Sequence, residues 1–242
     1  MLNASIFVRK GSIFDAKTKE MDIDTLEGLK RCQLFAGLGD DEIITLAHSV
    51  RYRVVHYRKG ELFTLAGAVC QHAAIILSGE MAAKLVAPTG RIIQMNLHHS
   101  GNMLAPAFLF ARDNTYPVTV EAQSDCRVFR MHRDDMTALL SADARVNMNF
   151  VRILSNIISF LTKKVSVMSM SVREKVCHYL YEEMVRQHSV LLTLPLSRQA
   201  IADTFSIQKY SLQRCLSELK ADGVIDFEGR AVHILKPQEL EV

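Results

Sequence analysis

The chain has 242 residues, of which 49% are hydrophobic and 23% are charged, and its formal net charge is +3. This composition is typical of a folded globular protein and excludes an intrinsically disordered chain. We find neither an apolar run of the about 18 residues that cross a bilayer nor a signal-peptide pattern, so we expect a cytoplasmic protein without membrane contact.

Cysteine spacing gives no sign of a crosslink or a metal site. The total is odd and no CxxC pair occurs, which favours buried, reduced thiols over a disulfide framework or a zinc ribbon. The five cysteines are Cys32, Cys70, Cys126, Cys177 and Cys215.

The first twenty residues show no helical or strand period, whereas a helical pattern begins at Met21. We interpret residues 1–20 as a loose N-terminal arm, with translation starting at Met1 or at Met21.

Short β-rich runs separated by turn residues extend from about Arg51 to Met131. This pattern predicts an antiparallel roll, and we place the domain at residues 21–142. Pro88-Thr89-Gly90 is a strong hairpin signal. The glycines in this part of the chain all fall at predicted turns: Gly60, Gly67, Gly79, Gly90 and Gly101.

A long helix is predicted from about Ala144 to Met168, within a segment placed at residues 143–169. One apolar seam follows heptad spacing; its residues are Val151, Leu154, Ile158, Leu161, Val165 and Met168. A second apolar row lies beside it: Phe150, Ile153, Ile157 and Phe160. A helix this apolar needs cover on two sides. The two interpretations are a buried helix of one large domain and, favoured here, a helix that packs on its own roll and on a twin subunit.

A new domain is predicted at residues 170–242, because Ser171 and Glu174 form a capping box. Ser197 is a good N-cap for a short helix, and a second amphipathic helix runs from Gln208 to Ala221. Two β-like runs around Glu228-Gly229 predict a hairpin wing.

The two short helices, with a tight connection at Ser206, match a helix-turn-helix. Its apolar residues would face inward, and its outward residues can donate hydrogen bonds to base edges and phosphates. The predicted DNA-binding residues are Ser197, Arg198, Gln199, Gln208, Lys209, Ser211, Gln213 and Arg214. The alternative is an ordinary three-helix domain with a solvated polar face.

Three stretches carry a family resemblance: LKRCQLFAGLGDDE, RKGELFTLAG with IILSGEMAAKLV, and LSRQAIADTFSIQKYSLQRCLSELKADGVI. From about Leu26 the chain resembles the CRP/FNR superfamily of bacterial transcription regulators. The resemblance implies an α+β fold with an N-terminal antiparallel β-roll (a cyclic-nucleotide-binding-like jelly roll), a long dimerisation helix and a C-terminal winged helix-turn-helix. It also implies an effector-controlled homodimer, a palindromic operator in double-stranded DNA and RNA polymerase as a partner.

Family recognition helices often read bases with an arginine, a glutamate one residue later, and a second arginine four residues after that. The matching positions here are Lys209, Tyr210 and Arg214, and only the last agrees. The resemblance therefore implies an operator that differs from the best-known ones, because lysine lacks the two-pronged geometry that suits guanine.

The effector implied by the family is harder to name. Asn102 and Tyr116-Pro117 stand where cyclic-nucleotide binders of the family have an acid and a phosphate-binding arginine, so we expect no cyclic nucleotide. Only Cys32 lies near the N-terminus, so we expect no iron-sulfur cluster. We hypothesise non-covalent haem b and a nitric oxide or redox sensor of nitrosative stress, with Met95, His98, Met103 and Met148 as speculative ligands.

Other effector and function classes stay open. The effector could be an organic ligand or absent, and the sequence does not distinguish an activator from a repressor. No HxH pair for a jelly-roll metalloenzyme occurs between Arg51 and Met131, so we predict neither catalysis nor a resident metal. The other rival is a dimeric interaction scaffold that has lost DNA binding, which salt-independent behaviour toward DNA would favour.

Overall fold

The computed structural model describes residues 21–86 and 92–240, which divide into two compact units, one ending at Ile157 and one beginning at Ile158. The N-terminal stretch 1–20 and the turn predicted at Pro88-Thr89-Gly90 lie outside the described residues. Within the described ranges, no helix has the length and apolar character needed to cross a membrane.

Two short helices open the first unit. α1 (Ile23–Lys30) is capped by Asp22, whose carboxylate accepts a hydrogen bond from the Thr25 amide at 2.9 Å. A 3-10 turn (Gln33–Phe35) and α2 (Asp40–His48) follow. The helical pattern that begins at Met21 is thus interrupted after Lys30, because the backbone is extended at Cys32 with a ψ of 129°.

Seven strands form the predicted antiparallel roll, in two sheets with the orders β1-β7-β3 and β2-β6-β4-β5. Every strand pair within these sheets is antiparallel. The strands are β1 (Tyr52–Tyr57), β2 (Leu62–Thr64), β3 (His72–Ser78), β4 (Met81–Val86), β5 (Ile92–His98), β6 (Thr119–Ala122) and β7 (Cys126–His132).

One of the predicted turn glycines is required by both conformation and space. Gly79 connects β3 to β4 with a φ of +87°. A Cβ atom there would collide with the Asp125 carbonyl oxygen and would lie 2.6 Å from the Cys126 sulfur. Only glycine fits this turn, as the sequence pattern predicts.

Strand alternation sends side chains from the β1-β7-β3 sheet into two core clusters. On one face, Ile75, Phe129 and Met131 pack with the N-terminal helices. On the other face, Ile76 and Val128 pack inside the roll with Met81 of β4. The helices therefore cover the sheet side that the second sheet leaves open.

Three further helices complete the first unit and lead out of it: α3 (Pro106–Leu109), α4 (Arg133–Ala142) and α5 (Ala144–Ser169). The first turns of α5 are anchored, since Val146, Asn149 and Phe150 are buried in the core. Ile153 and Leu154 are partly buried against the same core. Leu154, predicted as a dimer-seam residue, is therefore covered in part by its own subunit.

The second unit contains the remaining elements. They are α6 (Val172–Gln187), β8 (Leu191–Thr193), α7 (Arg198–Thr204), α8 (Lys209–Ala221), β9 (Ile225–Glu228) and β10 (Ala231–Ile234). The predicted capping box begins α6: Ser171 Oγ accepts from the Glu174 amide at 3.2 Å, and the Glu174 carboxylate accepts from the Ser171 amide at 2.7 Å.

The predicted wing is a three-stranded antiparallel sheet in the order β8-β10-β9. Its β9-β10 turn contains Gly229, with a φ of +59°. The short apolar run LLTL around Leu194 was predicted only as a run ended by Pro195, and it supplies the third strand. Three residues carry too little alternation to be assigned to a strand from sequence.

Candidate nucleic-acid interface

The predicted helix-turn-helix is formed by α7 and α8. Ser206 between them has a φ of +53°, and the Ile207 amide donates to the Ala202 carbonyl at 2.9 Å. Ala202 is completely buried, so the two helices approach closely at this small side chain. Leu212, Leu216 and Leu219 are buried in the core of the second unit, as predicted.

The two helices begin differently, because a serine side chain caps α7 whereas the N-cap side chain of α8 makes no capping hydrogen bond. Ser197 Oγ accepts from the Ala200 amide at 3.2 Å and so caps α7. Gln208 is the N-cap of α8, but its side chain makes no capping hydrogen bond. The first backbone amides of α8 therefore lack a side-chain cap from Gln208, and such amides favour an anion.

The predicted DNA-binding residues share one property, which is that none of them is buried. Arg198 and Ser211 are partly exposed. The others are exposed: Ser197, Gln199, Gln208, Lys209, Gln213 and Arg214. The α8 members lie within its N-terminal half, the part of a recognition helix that contacts base edges.

Arg198 is attached to the wing. Its guanidinium lies 5.0 Å from the centroid of the Phe227 ring, and Nη2 donates to the Gly229 carbonyl at 3.4 Å. Lys220 lies 5.2 Å from the centroid of the same ring. A hydrogen bond from Lys220 also lowers the pKa of the Asp226 carboxyl. These contacts fix the wing against α7 and α8.

Arg214 has a partner on its own helix, because its Nε lies 3.4 Å from Glu218 Oε1 one turn later. Both side chains are more than half exposed, so this pair contributes little to stability. The pair places Nε of Arg214 beside the next turn of α8, and the Arg214 side chain stays 67% exposed.

Two exposed residues near this surface were not among the predicted contacts. Tyr210 follows Lys209 in the first turn of α8 and is 75% exposed. Arg230 is exposed in the β9-β10 turn. The sequence contained the signal for both, since Tyr210 occupies a predicted recognition position and Arg230 follows Glu228-Gly229 in the predicted wing.

Two family models match the chain, one within each unit. Residues 54–143 match the cyclic nucleotide-binding domain, and residues 174–242 match the Crp-like helix-turn-helix domain. The chain belongs to the CRP/FNR family of transcription regulators.

Solved structures agree with this fold. The catabolite activator protein of Thermus thermophilus is 18% identical, with a TM-score of 0.51, and the alignment covers 86% of this chain and 96% of that one. A CprK structure in complex with OCPA is 13% identical, with a TM-score of 0.56, and the coverage is 78% and 87%. No curated protein sequence matches the chain. The predicted fold class is confirmed, and the CRP/FNR family consists of transcription regulators rather than enzymes.

The face of α5 that carries the predicted dimer seam is apolar and exposed in this CRP/FNR regulator. Five of the six predicted seam residues are exposed, and only Leu154 is partly buried. The exposed residues are Val151, Ile158, Leu161, Val165 and Met168. In the second row, Phe150 is buried in the subunit's own core, whereas Phe160 is 56% exposed.

The four speculative haem ligands lie in different surroundings. Met103 is buried in the helix-side core, and His98 pairs across the sheet with Met81 of the roll-side core. Met95 and Met148 are both exposed. Met103 thus belongs to the helix-side core of this CRP/FNR regulator, whereas His98 is the register partner of a roll-side residue, and non-covalent haem stays a prediction. Within the described ranges, no cluster of His, Cys, Asp and Glu could hold a metal ion.

Tyr116 is buried in the helix-side core of the first unit. Burial raises the pKa of its hydroxyl, and a hydrogen bond with Cys70 raises it further. Arg130, the cation nearby, donates from Nη1 to the Tyr57 hydroxyl at 3.2 Å and lies over the Phe63 ring. The residue that the resemblance places at the phosphate-binding arginine of the family is therefore a buried, neutral phenol.

Proposed function

We propose that this CRP/FNR regulator acts as a homodimer that binds a two-fold-symmetric operator through the α8 helices of its two subunits. One observation carries the proposal: the N-terminal half of α8 presents Gln208, Lys209, Gln213 and Arg214 to solvent beside an intact helix-turn-helix. Amide and cationic side chains at these positions suit base edges and phosphates in the major groove.

The exposed α5 seam supports the dimer. Its heptad spacing is that of a two-stranded coiled coil, in which each apolar residue inserts between residues of the facing helix. An apolar stripe of this length left in water would be a liability for a monomer. A second copy of α5 covers it with the same residues, as a two-fold interface requires.

Dimerisation also sets the form of the operator. Two recognition helices related by a two-fold axis bind inverted half-sites about 34–36 Å apart, one turn of DNA. A change in the crossing of the two α5 helices changes that spacing. An effector bound by the roll would therefore act by shifting the population of dimers that fit the operator.

The effector class follows from the absence of a cationic side chain at Tyr116. A cyclic nucleotide carries a phosphate that needs a cation, and Tyr116 is neutral. We infer that the roll responds to a ligand other than a cyclic nucleotide. We also infer that the DNA-bound regulator acts on RNA polymerase at the promoter.

The experiment is selection of binding sites from a random DNA library, followed by titration of the selected duplex at several salt concentrations. We expect an inverted repeat and an affinity that falls by about 10³-fold or more between 50 and 200 mM salt, since neutralised phosphates release counterions. Failure to enrich any sequence, with no dependence on salt, would instead support the interaction scaffold.

A further inference from the structure

Tyr210 carries an aromatic side chain that is largely exposed to solvent. It is 75% exposed, more than any other aromatic residue that the structure describes. It makes no hydrogen bond and no ring contact within the described part of the chain. The core-facing positions of α8 are already occupied by Leu212, Cys215 and Leu216, so packing within the subunit does not explain this tyrosine.

Tyr210 lies on the same face of α8 as two of the predicted DNA-binding residues. Gln213 and Arg214 follow it by three and four residues and therefore lie on the same face of the helix, with Cβ atoms about 5–6 Å apart. The Cα–Cβ bonds of a helix tilt toward its N-terminus, so the Tyr210 side chain leaves the backbone toward the end of α8 that we propose enters the major groove. A ligand that spans this face can meet both the Tyr210 ring and the Arg214 side chain.

The chemistry of the Tyr210 ring favours contact with one base over the other three. A phenol cannot form the paired hydrogen bonds by which arginine reads guanine or glutamine reads adenine. Its large apolar surface matches the 5-methyl group of thymine, which is the apolar feature of the major-groove edge.

We propose that Tyr210 is a specificity-determining residue that packs against the 5-methyl group of a thymine in each operator half-site. This inference rests on the proposed DNA-binding function. It makes Tyr210 a reader of thymine next to the bases contacted by Arg214.

The test removes the methyl group without changing base pairing. In the selected operator, each thymine of the half-site is replaced in turn by deoxyuridine, and affinity is measured by fluorescence anisotropy at fixed salt. We expect one position at which the wild-type protein loses about fourfold in affinity for each methyl removed, and roughly 15-fold when both half-sites are changed.

Three variants assign the effect to the ring. Tyr210→Ala should bind thymine and deoxyuridine operators equally, whereas Tyr210→Phe should keep the full preference. Lys209→Ala, the adjacent control, should weaken binding to both operators by the same factor, because the contacts of Lys209 with DNA do not involve the thymine methyl group. Tyr210 is exposed, so the thermal unfolding of its variants should match that of the wild type.

The outcomes separate this inference from the function on which it rests. Specific binding with equal affinity for both operators, or a preference that persists in Tyr210→Ala, overturns the role of Tyr210 alone. Loss of the preference in Tyr210→Phe would assign the contact to the hydroxyl and overturn the methyl contact. Absence of any sequence-specific binding overturns the proposed function and this inference together.

Discussion

The side-chain amide of Asn149 donates a hydrogen bond to the main-chain carbonyl of Leu34 at 3.1 Å, in a buried part of the first unit. The same amide group donates to the Ala36 carbonyl at 2.8 Å, and the Asn149 side-chain oxygen accepts from Arg152 at 3.1 Å. A polar side chain on α5 thereby satisfies the carbonyls of the 3-10 turn after α1, and the base of the long helix is fixed to the N-terminal helices.

We predict that Asn149→Ala lowers the free energy of unfolding of the first unit by about 1–3 kcal/mol, since two carbonyl oxygens lose their donor. Urea denaturation followed by circular dichroism measures this change. Asn147→Ala, at an exposed position on the same helix, is the matched control and should lie within about 0.5 kcal/mol of the wild type. Equal stability of both variants would contradict a structural role for the Asn149 contacts.

Arg214→Ala should abolish specific operator binding and leave the dimer intact. Each base contact of this kind discriminates by about 1–3 kcal/mol, and a dimer loses it twice. Footprinting on the selected operator measures the loss, and light scattering checks the dimer. Arg112→Ala removes the same charge from an exposed position in the first unit and should leave the footprint unchanged. An unaltered footprint with Arg214→Ala would refute the assignment.

Ile158→Glu should convert the dimer to monomers. Ile158 is 65% exposed in the centre of the α5 seam, and a dimer would bury two facing carboxylates there at a high cost. Size-exclusion chromatography with light scattering gives the mass, and operator affinity should fall with it. Ser159→Glu adds the same charge at the next, exposed position, outside both apolar rows, and should stay dimeric. A dimeric Ile158→Glu protein would place the interface elsewhere.

Cyclic AMP should neither bind this protein nor raise its melting temperature at millimolar concentration, because Tyr116 offers its phosphate no charge. Isothermal titration calorimetry and thermal unfolding with and without the nucleotide measure the effect. A saturable heat signal that tracks a rise in melting temperature would show that another cation, such as Arg130, replaces the missing arginine.

The sequence predicted the elements that begin with a capping residue or turn at a glycine. Ser171 and Ser197 are such N-caps and Gly79 is such a glycine, and the helices and turn that they define occur where expected. It did not predict β8, whose three residues are recognisable as a strand only beside β10. It also did not reveal that Met103 packs in the helix-side core, because proximity along the chain does not show on which side of a sheet a residue packs.

The same limit applies to the recognition surface. Exposure of the α8 residues follows from helical periodicity, and the structure agrees with it. The contact between Arg198 and Phe227 joins residues 29 positions apart and has no periodic signal. The wing could therefore be predicted as a hairpin, but its attachment to α7 could not.

All five cysteines are buried, and burial raises the pKa of the Cys32 and Cys215 thiols to about 11. Thiol reagents attack the thiolate, so the native side chains should stay unlabelled at neutral pH. One cysteine introduced on the surface, as in Gln213→Cys, could then carry a spin label without removal of any native cysteine. In a dimer, the two labels would report the distance between the recognition helices directly, and a ligand that shifts that distance would identify itself in the spectrum.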